Sequence, residues 1–336
     1  MYKAMLALAL ALGTLPLAGA NLQIYFVDVE GGQATLIVSP SGESMLVDAG
    51  WPGNNGRDSG RIAAAARLAG VERIDYMLVT HHHLDHVGGV PEIAAKLPVG
   101  TFVDHGPSVE TDAEGRKLSE AYTKVMAGAK HLVVKPGDRI PLAGVDVTVV
   151  AANGQTLTAP LGNGKAQPNP ACAAAKPQQA DPTENARSVA VILNYGKFRF
   201  ADFGDLTWNK ELQMACPANL LGTVDVYLVT HHGMDISNSP ALVHALRPRV
   251  AVMNNGAKKG GTPKAYEVLR SSPGLEDLWQ LHYSVAGGAQ HNAPEQFLAN
   301  PSPAADPGHW LKLTAEADGS FTVDNSRNGF SKSYPK

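Results

Sequence analysis

The chain predicts an α/β fold, a four-layer αβ/βα sandwich with its site at the edge of the two sheets. Three observations point there. Short apolar strand-like runs alternate with helical segments along most of the sequence. The run Asp75-Tyr76-Met77-Leu78-Val79-Thr80-His81-His82 is echoed by Asp225-Val226-Tyr227-Leu228-Val229-Thr230-His231-His232, so each half feeds a strand into a histidine loop. The chain has 336 residues, 44% of them hydrophobic, enough for a sizeable core.

In order, Leu22 to Val29, Ala34 to Val38 and Ser44 to Val47 read as three strands separated by Gly-rich or Pro-Ser-Gly turns, an antiparallel opening. A polar loop, Trp51 to Ser59, precedes an Ala-rich helix from Arg61 to Leu68, closed by Gly70. Tyr76 to Val79 is a buried strand, and Pro91 opens a helix through Leu97. Thr101 to Asp104 is a strand, Glu114 to Ala127 a helix, and His131 to Val134 and Val145 to Val150 are strands. Residues 152–184 lack apolar periodicity and read as a long irregular insert, a loop or flap that bears on substrate choice if it folds over the site. Ser188 to Asn194 and Lys197 to Ala201 form a hairpin turned by Tyr195-Gly196, and a helix follows Thr207. Val224 to Val229 is a strand, Ser239-Pro240 and Thr262-Pro263 open helices, and Arg249 to Met253 and Leu278 to Leu281 are strands. A Pro-rich loop, Asn300 to Pro307, leads to a last hairpin, Trp310 to Thr314 and Ser320 to Val323.

The first histidine loop carries the chemistry. His81 and His83, two apart in an extended segment, point to one side; Asp85 and His86, beyond the turn, face a second position. This suits two adjacent metal ions better than one. Imidazole with carboxylate favours zinc, read as a pair of Zn2+, with manganese or iron as the alternatives. A surface histidine cluster would not need four ligand-type side chains at the end of a buried strand.

His81-X-His83-X-Asp85-His86 resembles the HxHxDH signature of the metallo-β-lactamase-fold hydrolases, and Thr80 before it and Gly88-Gly89 after it fit that family. The resemblance implies a carboxylate bridging two metals. Asp205, after Gly204 at the end of a hairpin strand, matches the family's Gly-Asp bridge, with Asp202 as its competitor. His231 or His232 completes the second metal; the repeat sets His231 opposite His81 and leaves His232 to substrate or support. Asp28 and Asp48, each at a strand end, match aspartates that lie beneath the metals and orient ligand histidines; ordinary turn chemistry is the other reading. Where the lactamase-type enzymes carry Gly-His, this chain has Asp181-Pro182-Thr183-Glu184-Asn185. The first metal therefore lacks a histidine, with Asn185 nearest its place and His105 able to reach in from another direction.

Asp28-Val29 with Gly31-Gly32, Leu46 to Gly50, His81 to Gly89, Asn185 to Asp205 and His231-His232-Gly233 are similar to one branch, the metallo-hydrolase domain of the competence DNA-uptake channel protein (ComEC type). The similarity runs from about Asn21 to Met253. Val29-Glu30-Gly31-Gly32-Gln33 stands where the branch has Val-Gly-Gln-Gly-Asp. The resemblance implies a metal-dependent hydrolase using a metal-bridged hydroxide, with Asp85 or Asp205 holding the proton, acting on phosphate esters or phosphodiesters. Hydrolysis of a lactone or cyclic amide is the alternative, as is a non-catalytic metal-binding relative.

The remaining signals bound the setting. Lys3, the apolar Ala4 to Leu12 and Ala18-Gly19-Ala20 read as a signal peptide over residues 1–20, leaving a single hydrolase domain over 21–336 in the periplasm or outside the cell. No further segment of the mature chain could span a bilayer. A formal net charge of −3 does not support nucleic acid as a partner, and a small-molecule or ester substrate is expected. Cys172 and Cys216 either pair, tethering the insert, or stay free.

Overall fold

A computed structural model describes residues 21–162, 164–303 and 308–336. The expected signal segment and the end of the Asn300 to Pro307 loop lie outside them. Strands Leu22–Phe26, Thr35–Val38 and Ser44–Val47 pair antiparallel, as the turns between them require. The sheet continues in parallel through Ile74–Leu78, Val99–Asp104 and Lys130–Val133. A second sheet runs from Asp146–Ala152 through the hairpin Ala190–Tyr195 and Phe198–Asp202. It then goes on in parallel to Val226–Leu228, Val250–Met253, Asp277–His282 and Leu298–Asn300.

Strand alternation builds the layers. Leu22, Ile24 and Phe26 point into the core between the two sheets, where Phe26 meets Phe200 at 6.0 Å between ring centres. Tyr25, Leu36, Leu46 and Met77, on the opposite face, pack beneath Ile62 and Ala66 of helix Arg57–Leu68 and Tyr122 of helix Ala113–Met126. Helices Trp208–Ala215, Pro240–Leu246 and Pro263–Arg270 contribute Met214, Leu242 and Leu269 to the core on the second sheet. The order is helix, sheet, sheet, helix: the predicted αβ/βα sandwich. Both histidine loops leave the C-terminal ends of parallel strands, where open α/β sheets present their sites.

Three features go beyond what the sequence pattern announces. Leu298–Asn300 and Ser331–Tyr334 are strands that the pattern does not announce. The C-terminal strands do not extend the second sheet; Leu311–Ala315 crosses back to pair with Leu22–Phe26. The insert runs along the second half's flank rather than across the site. There Gln167–Pro168 pairs with Ala218–Asn219, Trp208 Nε1 donates to Lys176 O at 3.0 Å, and Cys172 is joined to Cys216 by a disulfide. Among the described residues no helix is long and apolar enough to cross a membrane.

Candidate metal centre

Four buried groups, Asp85, His86, Asp205 and His232, bring their ligand atoms within 4.8 Å of one another. His86 Nε2 lies 3.1 Å from Asp85 Oδ2 and 3.3 Å from Asp205 Oδ2. His232 Nε2 lies 3.2 Å from Asp85 Oδ2 and 3.4 Å from Asp205 Oδ1. On the far side of Asp205 stand His231 Nε2 at 3.3 Å and His81 Nε2 at 3.9 Å. Asp205 is thus the hub, reached by four imidazoles from both halves.

This arrangement fits divalent cations. His86 Nε2 and His232 Nε2 face each other at 3.3 Å, and both also face the same two carboxylates. Ring nitrogens aimed at one point beside carboxylates offer a ready donor set for a shared cation. The supporting contacts fix which nitrogen points inward. Asp48 accepts from His86 Nδ1 at 2.7 Å, leaving Nε2 for the cluster, and also accepts from Thr80 N at 2.8 Å and Thr80 Oγ1 at 2.7 Å. His231 Nδ1 meets Ser237 Oγ at 3.2 Å.

Charges follow the geometry. Burial alone would push Asp205 up, yet His231, His232 and His86 hold its carboxyl well below the usual range. Burial likewise opposes ionised Asp85, but His86, His232 and Lys259 keep it well below its ordinary value. Burial disfavours charge on His86; Asp205, Asp85 and Asp48 outweigh it and raise His86 well above an ordinary imidazole. Burial and the neighbouring His86 take His81 well below, and burial brings His231 to about 4. The centre is an electrostatic sink in which carboxylates stay ionised and favour positive charge.

The structure revises several sequence expectations. His232, not His231, belongs to the tight group of four. Both residues have left-handed backbone, φ 55° at His231 and φ 54° at His232, so the chain curls and swings both rings inward. The first loop has no such curl, and His82, the counterpart of His232, instead turns its Nε2 to Gly106 O at 3.1 Å. Asp202 does not compete with Asp205: Gln33 Nε2 donates to its two oxygens at 3.0 and 2.9 Å, and burial raises it to about 7. Asp28 pairs with Arg61 at 3.0 Å and with a histidine outside the cluster, His282, at 2.8 Å. His105 does not reach in to replace the missing imidazole, because its Nε2 lies 2.8 Å from Glu184 Oε2. Asn185 stands beside Glu184, its Oδ1 buried without a hydrogen-bond partner. His83 is half-exposed, with Nδ1 3.0 Å from His81 Nε2 and Nε2 3.4 Å from Glu110 Oε1.

Two residues that sequence reasoning passed over complete the surroundings. Glu184 is fully buried and accepts from His82 N at 2.9 Å and Val109 N at 2.7 Å, pinning the metal loop between His81 and His83. Burial opposes its charge, but His105 and these two N–H groups hold it at about 2. Lys259 ion-pairs with Asp85 across the two halves. A cavity of about 460 Å³ opens beside His83 and Asp85, lined by Trp51, Leu84, Glu110, Leu118 and Thr183. Of the insert's described residues, Thr183 lines this cavity and Glu184 meets the metal loop.

A family model described as Metallo-beta-lactamase superfamily matches residues 27–161. A UPF0173 protein of Pyrococcus abyssi is 26% identical over 240 residues, covering 70% of this chain and 86% of its own length. Hydroxyacylglutathione hydrolase of Klebsiella pneumoniae subsp. pneumoniae is 37% identical over 112 residues, 31% of this chain, and the match spans 37% of that enzyme. Among solved structures, MEM-A1, a subclass B3 metallo-β-lactamase from a soil metagenome library, is 18% identical, with 75% of this chain and 81% of that one covered at a TM-score of 0.40.

Proposed function

We propose that this chain, whose residues 27–161 match the metallo-β-lactamase superfamily model, is a metal-dependent hydrolase and, more finely, a phosphoesterase that acts on phosphodiesters with two divalent cations, zinc first. The observation that carries it is Asp205, a carboxylate flanked by His86, His231, His232 and His81, all within 3.9 Å. A carboxylate so placed is the natural bridge for a cation pair. His81 and His83, with Asp205, would hold one ion; Asp85, His86 and His232, with Asp205, the other. When bound, such a pair supplies an activated water and positive charge for the oxygens on which negative charge develops.

The protein's own groups do the rest. Asp48 and Ser237 hold His86 and His231 in the tautomers that aim Nε2 at the centre. Asp85 and Asp205, kept ionised by their surroundings, are the carboxylates nearest the place an attacking water would take. The cavity beside His83 and Asp85 gives the substrate its seat. The resemblance of the loop motifs to the ComEC-type branch is what favours phosphodiesters in this reading. Similarity to hydroxyacylglutathione hydrolase supports an acyl substrate, lactone or cyclic amide, as the second reading.

We further propose that the protein is exported to the periplasm or beyond. The signal-like start supports this, as does the Cys172–Cys216 disulfide, a bond that persists in oxidising compartments. Metal analysis of the mature chain, followed by turnover of bis(p-nitrophenyl) phosphate, a lactone and a β-lactam, tests the function. About two metals with phosphodiester turnover is expected. Lactone or lactam turnover alone would replace the reading with the second one, and metal without any turnover would leave a binding protein.

A further inference from the structure

The loop from Gly256 to Gly261 joins strand Val250–Met253 to helix Pro263–Arg270 and meets the centre through Lys259. It is wedged between the two halves of the molecule. Gly256 N donates to Lys259 O at 2.9 Å, closing a tight turn, and Gly261 N donates to His232 O at 2.9 Å. A β-carbon on Gly260 would stand 2.0 Å from His232 O, and one on Gly256 would stand 2.5 Å from the Glu30 carbonyl. The loop therefore sits flush on a candidate ligand on one side and on the Glu30–Gly31 turn on the other.

This seating sends one charged side chain inward. Lys259 Nζ contacts Asp85 Oδ2 and lies 5.2 Å from the centre of the Trp51 ring. Its neighbour Lys258 is exposed. Asp85 Oδ2 is also the oxygen facing His86 and His232, at 3.1 and 3.2 Å. A cation held there would take over that oxygen and set its own charge against the ammonium. Lys259 then needs a new anionic partner, and its backbone, fixed by the glycine turn, and its ammonium, over the Trp51 ring, keep it beside the centre.

We infer that Lys259 is a substrate-anchoring residue, whose ammonium takes an anionic oxygen of the substrate next to the cation pair and selects charged esters over neutral ones. The assignment rests on the phosphoester reading. A non-bridging phosphoryl oxygen supplies the missing partner; a neutral lactone supplies none. The contact is a charge-assisted hydrogen bond in a partly buried place, the kind that contributes strongly.

Calorimetric binding of inorganic phosphate to zinc-loaded protein tests this, with metal content and thermal unfolding measured on the same samples. Lys259→Met should weaken phosphate binding by about tenfold or more, Lys259→Arg should regain part of it, and Lys258→Met should match the wild type. The Michaelis constant for bis(p-nitrophenyl) phosphate should rise in parallel, with zinc content unchanged. Unchanged phosphate binding in Lys259→Met overturns the inference. So does loss of zinc or of the fold in both Lys259→Met and Lys259→Arg, which would make the lysine a structural partner of Asp85. If the wild type binds phosphate through Lys259 yet cleaves no phosphoester, the anchoring role stands and the phosphoester reading falls.

Discussion

Replacing Asp48 by Asn isolates one charge in the support of the metal loop. Asp48 is fully buried with φ 59°, a left-handed conformation that Asp and Asn adopt more readily than other non-glycine residues, so the backbone should not object. The carboxylate accepts three hydrogen bonds, from Thr80 N, Thr80 Oγ1 and His86 Nδ1. An Asn amide has one acceptor oxygen and presents N–H groups to a partner set made of donors. At least one donor loses its partner, at a cost of about 1–3 kcal/mol. His86 also loses the anion that fixes its tautomer, and such supporting changes lower metal affinity by about 10–100-fold, roughly 1.4–2.7 kcal/mol. Zinc affinity measured by chelator competition, with unfolding followed in parallel, checks both figures. Zinc affinity within about threefold of wild type would refute the orienting role, since that is well below the expected range. Asp48→Ala should be worse than Asp48→Asn in stability, because alanine adds about 1–2 kcal/mol of left-handed strain.

Other outcomes follow from the same contacts. Asp205→Ala should lower the metal content of the purified mature protein, read by elemental analysis; unchanged stoichiometry would count against a bridge. Glu184 is held at about 2 against an ordinary 4.5, so its stabilisation is full above the ordinary value and is lost as pH falls towards about 2. Glu184→Gln should therefore cost on the order of 3 kcal/mol at neutral pH, with the two proteins converging in acid, as chemical denaturation across pH will show. Cys172→Ser opens a link spanning 44 residues; it should lower stability by at most about 4 kcal/mol and expose the insert to proteolysis while leaving zinc content unchanged.

The parts of the site legible in the sequence are those whose chemistry is local. His81, His83, Asp85 and His86 share one short run at a strand end, and Asp205 follows a glycine at the end of a hairpin strand. The choice between His231 and His232 is not legible, because the glycine of this turn, Gly233, comes after the two histidines and does not announce that both of them also take positive φ. Glu184 and Lys259 were missed for a different reason. Each acts through a partner far away in sequence, His82 for one and Asp85 for the other, and no periodicity marks such a meeting. Among the strands, Ser331–Tyr334 buries only Tyr334, so its apolar pattern has too few members to read, although it completes a sheet.

The return of Leu311–Ala315 to the side of Leu22–Phe26 ties nearly the earliest described residues to nearly the last. A ribosome or translocation pore releasing this chain vectorially would leave Leu22–Phe26 without that flanking neighbour until the final hairpin emerged. Closure at such sequence distance slows assembly and leaves an unpaired strand border open to mispairing meanwhile. Trimming the tail by some thirty amino acids would hence be felt at the opposite terminus, as stickiness rather than as lost chemistry.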